Sequence, residues 1–256
     1  MFYYKRDFID YLYSRYNDES YIEVKKEIAK DKINEYVHSN IETCIYWLTK
    51  YINLHPNLEE IKEIILPHKT IKEIRHAYIN YLYNQHYDQE CLSFLEEDKE
   101  NHGVIEYGML KEVYKRLENR NNYIDCLYHL ICDYQGTIEI FIEYKNCFDE
   151  NEWIDKREEL FNHCRKNPNY GYFLVEEKLY DRLLGYITYM SDFNLVKQFE
   201  DILGNLYPNE IMELYEQEID CILESPSNRD TYSCACQLIQ KLTQFVGGHV
   251  KAQELI

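Results

Sequence analysis

Glycine and proline are scarce in this sequence: 8 Gly and 5 Pro among 256 residues, well below the roughly 12% that the two contribute on average. Sheet proteins place these residues at turns and bulges, so the shortage points to helices joined by short polar connections. Eight scattered glycines form no phosphate-cradling loop and no dinucleotide fingerprint, and neither a GxSxG elbow nor an HExxH pair is present. No stretch approaches the roughly 18 consecutive apolar residues of a membrane span. The opening residues, MFYYKRDFIDYLYSRY, carry charge in their first turns and lack the apolar segment and cleavage site of a secretion signal. Basic charge is also in short supply. Twenty-eight Lys and Arg stand against 46 Asp and Glu, a formal charge of −18. An acidic surface repels phosphate, so neither direct nucleic-acid binding by this segment nor attachment to an anionic membrane is expected. The densest basic run, Lys111, Lys115, Arg116 and Arg120, reads as a solvated helix face.

What is present in quantity is tyrosine, 27 residues, and a 45% hydrophobic share sufficient for a sizeable core. A Tyr ring packs like Phe but its hydroxyl needs a partner or water, which suits thin stacks of helices whose cores lie near solvent. An AT-rich coding bias accounts for the same count. Nine cysteines (Cys44, Cys91, Cys126, Cys132, Cys147, Cys164, Cys221, Cys234 and Cys236) are odd in number and irregular in spacing. They read as reduced, mostly buried packing residues, and a cytoplasmic setting follows.

Helical periodicity recurs along the chain. Phe2, Phe8, Ile9, Leu12, Tyr13 and Tyr16 form one stripe, and Ile41, Ile45, Leu48 and Ile52 form another. His55-Pro56-Asn57 ends the second, and Asn57 is placed to cap a helix carrying Leu58, Ile61, Ile64 and Ile65. Leu66-Pro67 breaks that helix and a new one opens near Thr70. Two hairpins follow, 74–95 broken at Asn84-Gln85-His86 and 110–131 broken around Asn119–Asn122. Tyr78 and Tyr114 lie 36 positions apart, as do Tyr87 and Tyr123, and Cys91-Leu92 and Cys126-Leu127 follow in near register. Such a spacing is what tetratricopeptide-like (TPR-like) hairpins produce. Further helices are expected at 137–146, 151–164, 170–176, 179–190, 195–205 and from Pro208, which sits at a favoured first helical position. Ser225-Pro226-Ser227 closes that helix, and a last pair at 230–245 and from His249 is divided by Gly247-Gly248. The expected fold is all-α, a TPR-like α-solenoid of stacked helical hairpins. It forms one array over 1–256, with N-terminal helices at 1–69 and hairpins at 70–256. Lys251–Ile256 keeps the helical pattern with no stop signal where a solenoid needs a polar capping helix, so the chain is read as either complete or a piece of a longer protein.

Four motifs invite chemistry. Glu35-Tyr-Val-His38 and Glu73-Ile-Arg-His76 each set a carboxylate and an imidazole three apart, the half-site of helical di-metal proteins. Two predicted helices separate the pairs, and a Glu-rich chain with nine His produces such pairs by composition. Cys126-x-x-His129-x-x-Cys132 and Cys234-Ala-Cys236 lack the second half-site of structural zinc. His163 and Cys164, being adjacent on a helix, point apart and make no dyad.

The run Asp149-Glu-Asn-Glu-Trp153 through Arg157-Glu-Glu-Leu160 is followed by Phe173–Leu184, by Leu206-Tyr207-Pro208 through Tyr215, and by Phe245-Val-Gly247-Gly248 through Leu255. In that order these segments, across 125–256, resemble the helical region C-terminal to the finger in bacterial SWIM zinc finger family proteins. The resemblance implies a TPR-like scaffold; SWIM fingers are thought to contact DNA or proteins through a Cys-x-Cys…Cys-x-His zinc site. Here Cys234-Ala-Cys236 has no Cys-x-His after it, so no zinc ligands carry over.

The expected function is non-enzymatic: a helical scaffold for protein–protein interaction, without a cofactor, whose protein or peptide partner is basic if charge selects it. Tyr81, Tyr83 and Tyr128 are the candidate contact residues. Two alternatives are a metal-binding helical protein using Glu35, His38, Glu73 and His76, and a regulatory module of a DNA-associated SWIM-type assembly.

Overall fold

The computed structural model describes Tyr11, Tyr13, Arg15 and residues 19–97, 102–224 and 229–255. Most of the N-terminal stripe and the Ser225–Ser227 break lie outside these residues. Among the described residues the chain forms fifteen α-helices, two three-residue 3-10 turns and no strand. It divides into two compact units, Met1–Cys126 and Leu127–Ile256, the boundary falling inside one helix.

The first unit contains α1 (Ile22–Tyr36), α2 (Ile41–Ile52), α3 (Leu58–Ile65), α4 (Lys72–Asn84), α5 (Asp88–Glu96), α6 (Val104–Arg116) and the start of α7 (Arg120–Cys132). Helix starts follow capping chemistry. The Asn40 side chain accepts from the Thr43 amide at 3.0 Å. Asn57 and Glu60 form a reciprocal capping box at 2.9 Å each way, so two amides that α3 would leave unpaired are satisfied. Leu66-Pro67 does break the chain, as a 3-10 turn over Leu66–His68. The next helix opens at Lys72, near Thr70, once the Ile71 amide has bonded back to the His68 carbonyl and closed that turn. Helices pack on near neighbours: α1 on α2, α2 on α4, α3 on α4, α4 on α5 and α5 on α6. Trp47, Tyr51, Tyr78, Tyr114, Ile61 and Ile65 are fully buried, the two isoleucines contributing about 1.5–3 kcal/mol each.

The second unit continues α7 and adds α8 (Ile138–Lys145), α9 (Glu150–His163), α10 (Tyr170–Glu176), α11 (Tyr180–Met190), α12 (Phe193–Leu206), α13 (Pro208–Glu224), α14 (Arg229–Leu242) and α15 (Gly248–Glu254). Asp149 and Glu152 cap α9 reciprocally, and Pro208 is the first residue of α13. The core opens on Phe141, stacked on Phe173 at 4.6 Å with Trp153 edge-on at 5.6 Å. From α10 onward each helix packs on the next. Gly171 is required by packing, since a Cβ there would lie 2.6 Å from the Phe199 ring.

Three connections share one geometry. α4–α5, α6–α7 and α10–α11 are each joined by three residues whose middle member, His86, Glu118 or Lys178, is left-handed at φ 58°, 56° and 55°. In each, the next amide reaches back to the last turn: Tyr87 to the Leu82 carbonyl, Asn119 to Tyr114 and Leu179 to Leu174, all at 2.9 Å. This is a Schellman stop built without glycine. Tyr78 and Tyr114, paired in the sequence repeat, are both buried, as are Cys91 and Cys126.

The expectation that cysteines are mostly buried needs correction. Cys44, Cys91, Cys126 and Cys164 are buried, Cys132 and Cys147 half-buried, and Cys221, Cys234 and Cys236 exposed. On α14 the inward positions are Ala235 and Leu242, which turns both cysteines flanking Ala235 outward.

Candidate functional site: a groove between α9 and α11

The residues singled out in the sequence do not converge. α1 ends at Tyr36, so His38 sits in the following turn, its ring edge-on to His68 at 5.6 Å, while Glu35 pairs with Lys32. Glu73 and His76 do share α4, but His76 Nε2 lies 3.4 Å from Glu106 Oε1. Among the described residues, no three His, Cys, Asp or Glu side chains are grouped so as to hold a metal ion. His129 Nδ1 faces Asp133 at 2.6 Å. His163 is exposed beside the Glu159 carbonyl, whereas Cys164 is buried. Burial pushes the Cys91 and Cys164 thiols up to about 12 and Cys132 to about 11, so all three are protonated at neutral pH.

The three tyrosines part ways. Tyr81 belongs to the core: it is 6% exposed and its hydroxyl donates to the Pro56 carbonyl at 3.1 Å, which leaves no ring face for a partner. Tyr83 lies under the Arg116 guanidinium at 4.7 Å, and Arg116 is held by Asp88. Tyr128 is half-buried among the rings of Tyr144 and His163, and burial pushes its hydroxyl up to about 12.

The site that stands out lies elsewhere, in the second unit, as a groove of about 810 Å³ between α9 and α11. Two helical faces line it. From α9 and the turn after it come Glu158, Phe161, Asn162, Arg165 and Lys166; from α11 come Arg182, Gly185, Tyr186, Tyr189 and Met190. Both sets follow i, i+3, i+4, i+7, i+8; on α11 that spacing is one face of the helix, while Arg165 and Lys166 extend the α9 wall into the turn after it. α11 is already seated in the core by Leu183 and Ile187, both buried. Its groove face is therefore a second stripe, left uncovered.

Tyr170, the first residue of α10, sets the floor. It stands edge-on to Phe161 at 5.4 Å and to Tyr186 at 5.0 Å, wedging the two helices apart. At one end Arg182 reaches across to Glu158, with N–O distances of 2.7 and 2.9 Å. These cross-contacts run α9 and α11 in the same direction, so Arg165 and Lys166 stand at the end where Tyr189 and Met190 emerge. Tyr189 is 85% exposed and Met190 46%.

Charge in the groove is unevenly matched. Partial desolvation works to raise the Glu158 carboxyl, but hydrogen bonds from Arg182 and Arg157 outweigh it and hold it below the usual range. That carboxylate is thus fully engaged. Arg165 meets only the neutral Asn162 side chain, at 3.4 Å, and the Lys166 ammonium meets no partner among the described residues. Their turn is fixed in place. Between them and α10, Asn167 is buried, donating to the Ile131 carbonyl at 2.8 Å and the Gly136 carbonyl at 3.1 Å while accepting from the Asn169 amide at 2.7 Å. The two cations are presented on an ordered loop, which lowers the entropy cost of engaging a ligand.

The sequence reading passes over this groove, although its signal is present in part: Tyr186, Tyr189 and Met190 widen the apolar stripe of α11 to one side of Leu183 and Ile187. That α9 supplies the facing wall is a tertiary fact with no local signature. No helix among the described residues is long and apolar enough to cross a membrane. No protein-family model, curated protein or solved structure matches the chain.

Proposed function

We propose that this protein is a non-enzymatic helical scaffold that binds a protein or peptide partner, and that the groove between α9 and α11 is a contact site. One observation carries the reading. A helix already anchored by Leu183 and Ile187 presents a further aromatic and thioether face to solvent, beside a preformed groove of about 810 Å³. Aromatic residues, Met and Arg are the types enriched in the buried centre of interfaces. The recurring three-residue hairpin connection, with helices packed on their sequence neighbours, supports a TPR-like repeat scaffold as the frame. The resemblance of 125–256 to the helical region of SWIM zinc finger family proteins agrees with that frame.

The test is site-specific photocrosslinking. A benzophenone side chain at Tyr189, where exposure makes the change structurally neutral, gives a discrete crosslinked species in the source cell. The same probe at Ile154, exposed on α9 outside the groove, gives none, and Gly185→Leu abolishes the Tyr189 product. A Tyr189 crosslink unchanged by Gly185→Leu, or none at all, removes the groove as the contact site.

A further inference from the structure

The net charge of −18 predicts a basic partner, yet the groove has the opposite local sign. Its one carboxylate, Glu158, is neutralised by Arg182, while Arg165 and Lys166 remain unmatched at the end where Tyr189 and Met190 emerge. Building on the partner-binding reading above, we propose that the groove takes an acidic peptide segment. An aromatic or aliphatic side chain of that segment lies on the Phe161–Tyr170–Tyr186 floor, and flanking carboxylates meet Arg165 and Lys166.

Gly185 is the second observation. It lies inside α11 at an ordinary helical φ, and a Cβ built there meets nothing within 4 Å. Neither backbone conformation nor packing calls for glycine, which costs a helix interior roughly 0.5–1 kcal/mol relative to alanine. The residue keeps the floor of the groove open beside Tyr186. The net acidic charge of the chain sharpens selection, because it disfavours an anionic segment at surfaces without such a cationic pair.

Fluorescence anisotropy with the full chain separates the outcomes. Three labelled peptides of equal length carry the same Trp-Leu anchor with Asp/Glu, Ser/Asn or Lys/Arg flanks. The acidic peptide is expected to bind about tenfold more tightly than the neutral one and the basic one least. Arg165→Glu with Lys166→Glu reverses that order. Gly185→Leu abolishes binding of all three without lowering the melting temperature, since it removes a helix-interior glycine. Equal or tighter binding of the neutral or basic peptide, still lost in Gly185→Leu, overturns the acidic assignment and leaves the groove as a binding site. Acidic-peptide binding that survives Gly185→Leu overturns it by placing the contact elsewhere. Binding of anionic vesicles or single-stranded RNA through Arg165 and Lys166, with no peptide bound, overturns it in favour of another polyanion. No peptide binding together with no Tyr189 crosslink removes both readings.

Discussion

The buried tyrosines show what a single hydroxyl decides. Tyr51 and Tyr78 are fully buried and their hydroxyls have no hydrogen-bond partner among the described residues, while burial pushes both up to about 12 and keeps them neutral. Tyr81, one helical turn from Tyr78, donates to the Pro56 carbonyl, and the Tyr114 hydroxyl donates to Glu96 Oε1 at 2.7 Å. Leaving a buried hydroxyl unpaired costs about 1–3 kcal/mol, whereas a made bond contributes about 1 kcal/mol. Removing one oxygen atom therefore has opposite signs at neighbouring positions. Tyr78→Phe and Tyr51→Phe are expected to raise stability by about 1 kcal/mol each, and Tyr81→Phe to lower it by about the same amount, in urea unfolding at constant m-value. A loss of stability in Tyr78→Phe would mean that its hydroxyl is paired through a bound water. The sequence reading places the Tyr load in cores near solvent but cannot sort Tyr81 from Tyr83. Both lie on α4 two positions apart, and only the fold shows which one meets the Pro56 carbonyl.

At the scale of the helix, starts marked by a capping Asn or a first-turn Pro are legible, while stops show only as polar breaks. Asn57 and Pro208 mark their helices by side-chain chemistry that needs no tertiary context, and the structure places α3 and α13 at those signals. α1 shows why a helix escapes a stripe reading. Its inward positions are Lys26, Ala29 and Ile33, and a charged residue holds the first of them because Glu60 and Glu23 accept its ammonium at 3.0 and 3.2 Å. The stopping residue itself escapes because His86, Glu118 and Lys178 stand where glycine is usual, and no composition signal marks them. Left-handed conformation costs a residue with a Cβ roughly 1–2 kcal/mol, offset in part by glycine's greater freedom in the unfolded chain. Glu118→Gly and Lys178→Gly are thus each expected to stabilise by about 1 kcal/mol, a rise in melting temperature of about 2–4 °C. Calorimetry checks this against Glu159→Gly in the interior of α9, which is expected to destabilise by a similar amount. No rise at either stop would show that the side chains there contribute contacts worth as much as the backbone strain they carry.

Across the whole molecule, charge sets two opposing dependences on pH. Forty-six acidic residues against 28 basic ones leave a self-repelling chain at neutral pH, and protonating carboxylates toward the isoelectric point near 4.9 relieves that repulsion. Specific carboxylates act the other way. Glu177, with a side chain 6% exposed, is held by Lys145 at 2.8 Å, Arg157 at 3.1 Å and the Trp153 indole N–H at 3.0 Å, tying α8 and α9 to the end of α10. Desolvation works to raise its pKa, but those three donors outweigh it and the carboxyl lies below its usual value. Lys26 acts on Glu60 in the same direction. A carboxyl depressed in the folded state contributes stability that is complete above its unfolded value, near 4.3, and is lost as pH falls through the folded value. Repulsion fades between about pH 7 and 5, while the paired carboxylates fail only below about pH 4, so thermal stability is expected to peak between about pH 5 and 6. Added salt should raise the melting temperature at pH 7 and do little at the peak, because exposed ion pairs contribute less than the net repulsion that salt screens. Melting curves from pH 3 to 8 at two ionic strengths decide the matter. A melting temperature that falls steadily from pH 7 downward would show that ion pairing, not net repulsion, dominates the electrostatics of this chain, and Glu177→Gln would then flatten the acid limb by lowering the melting temperature at neutral pH.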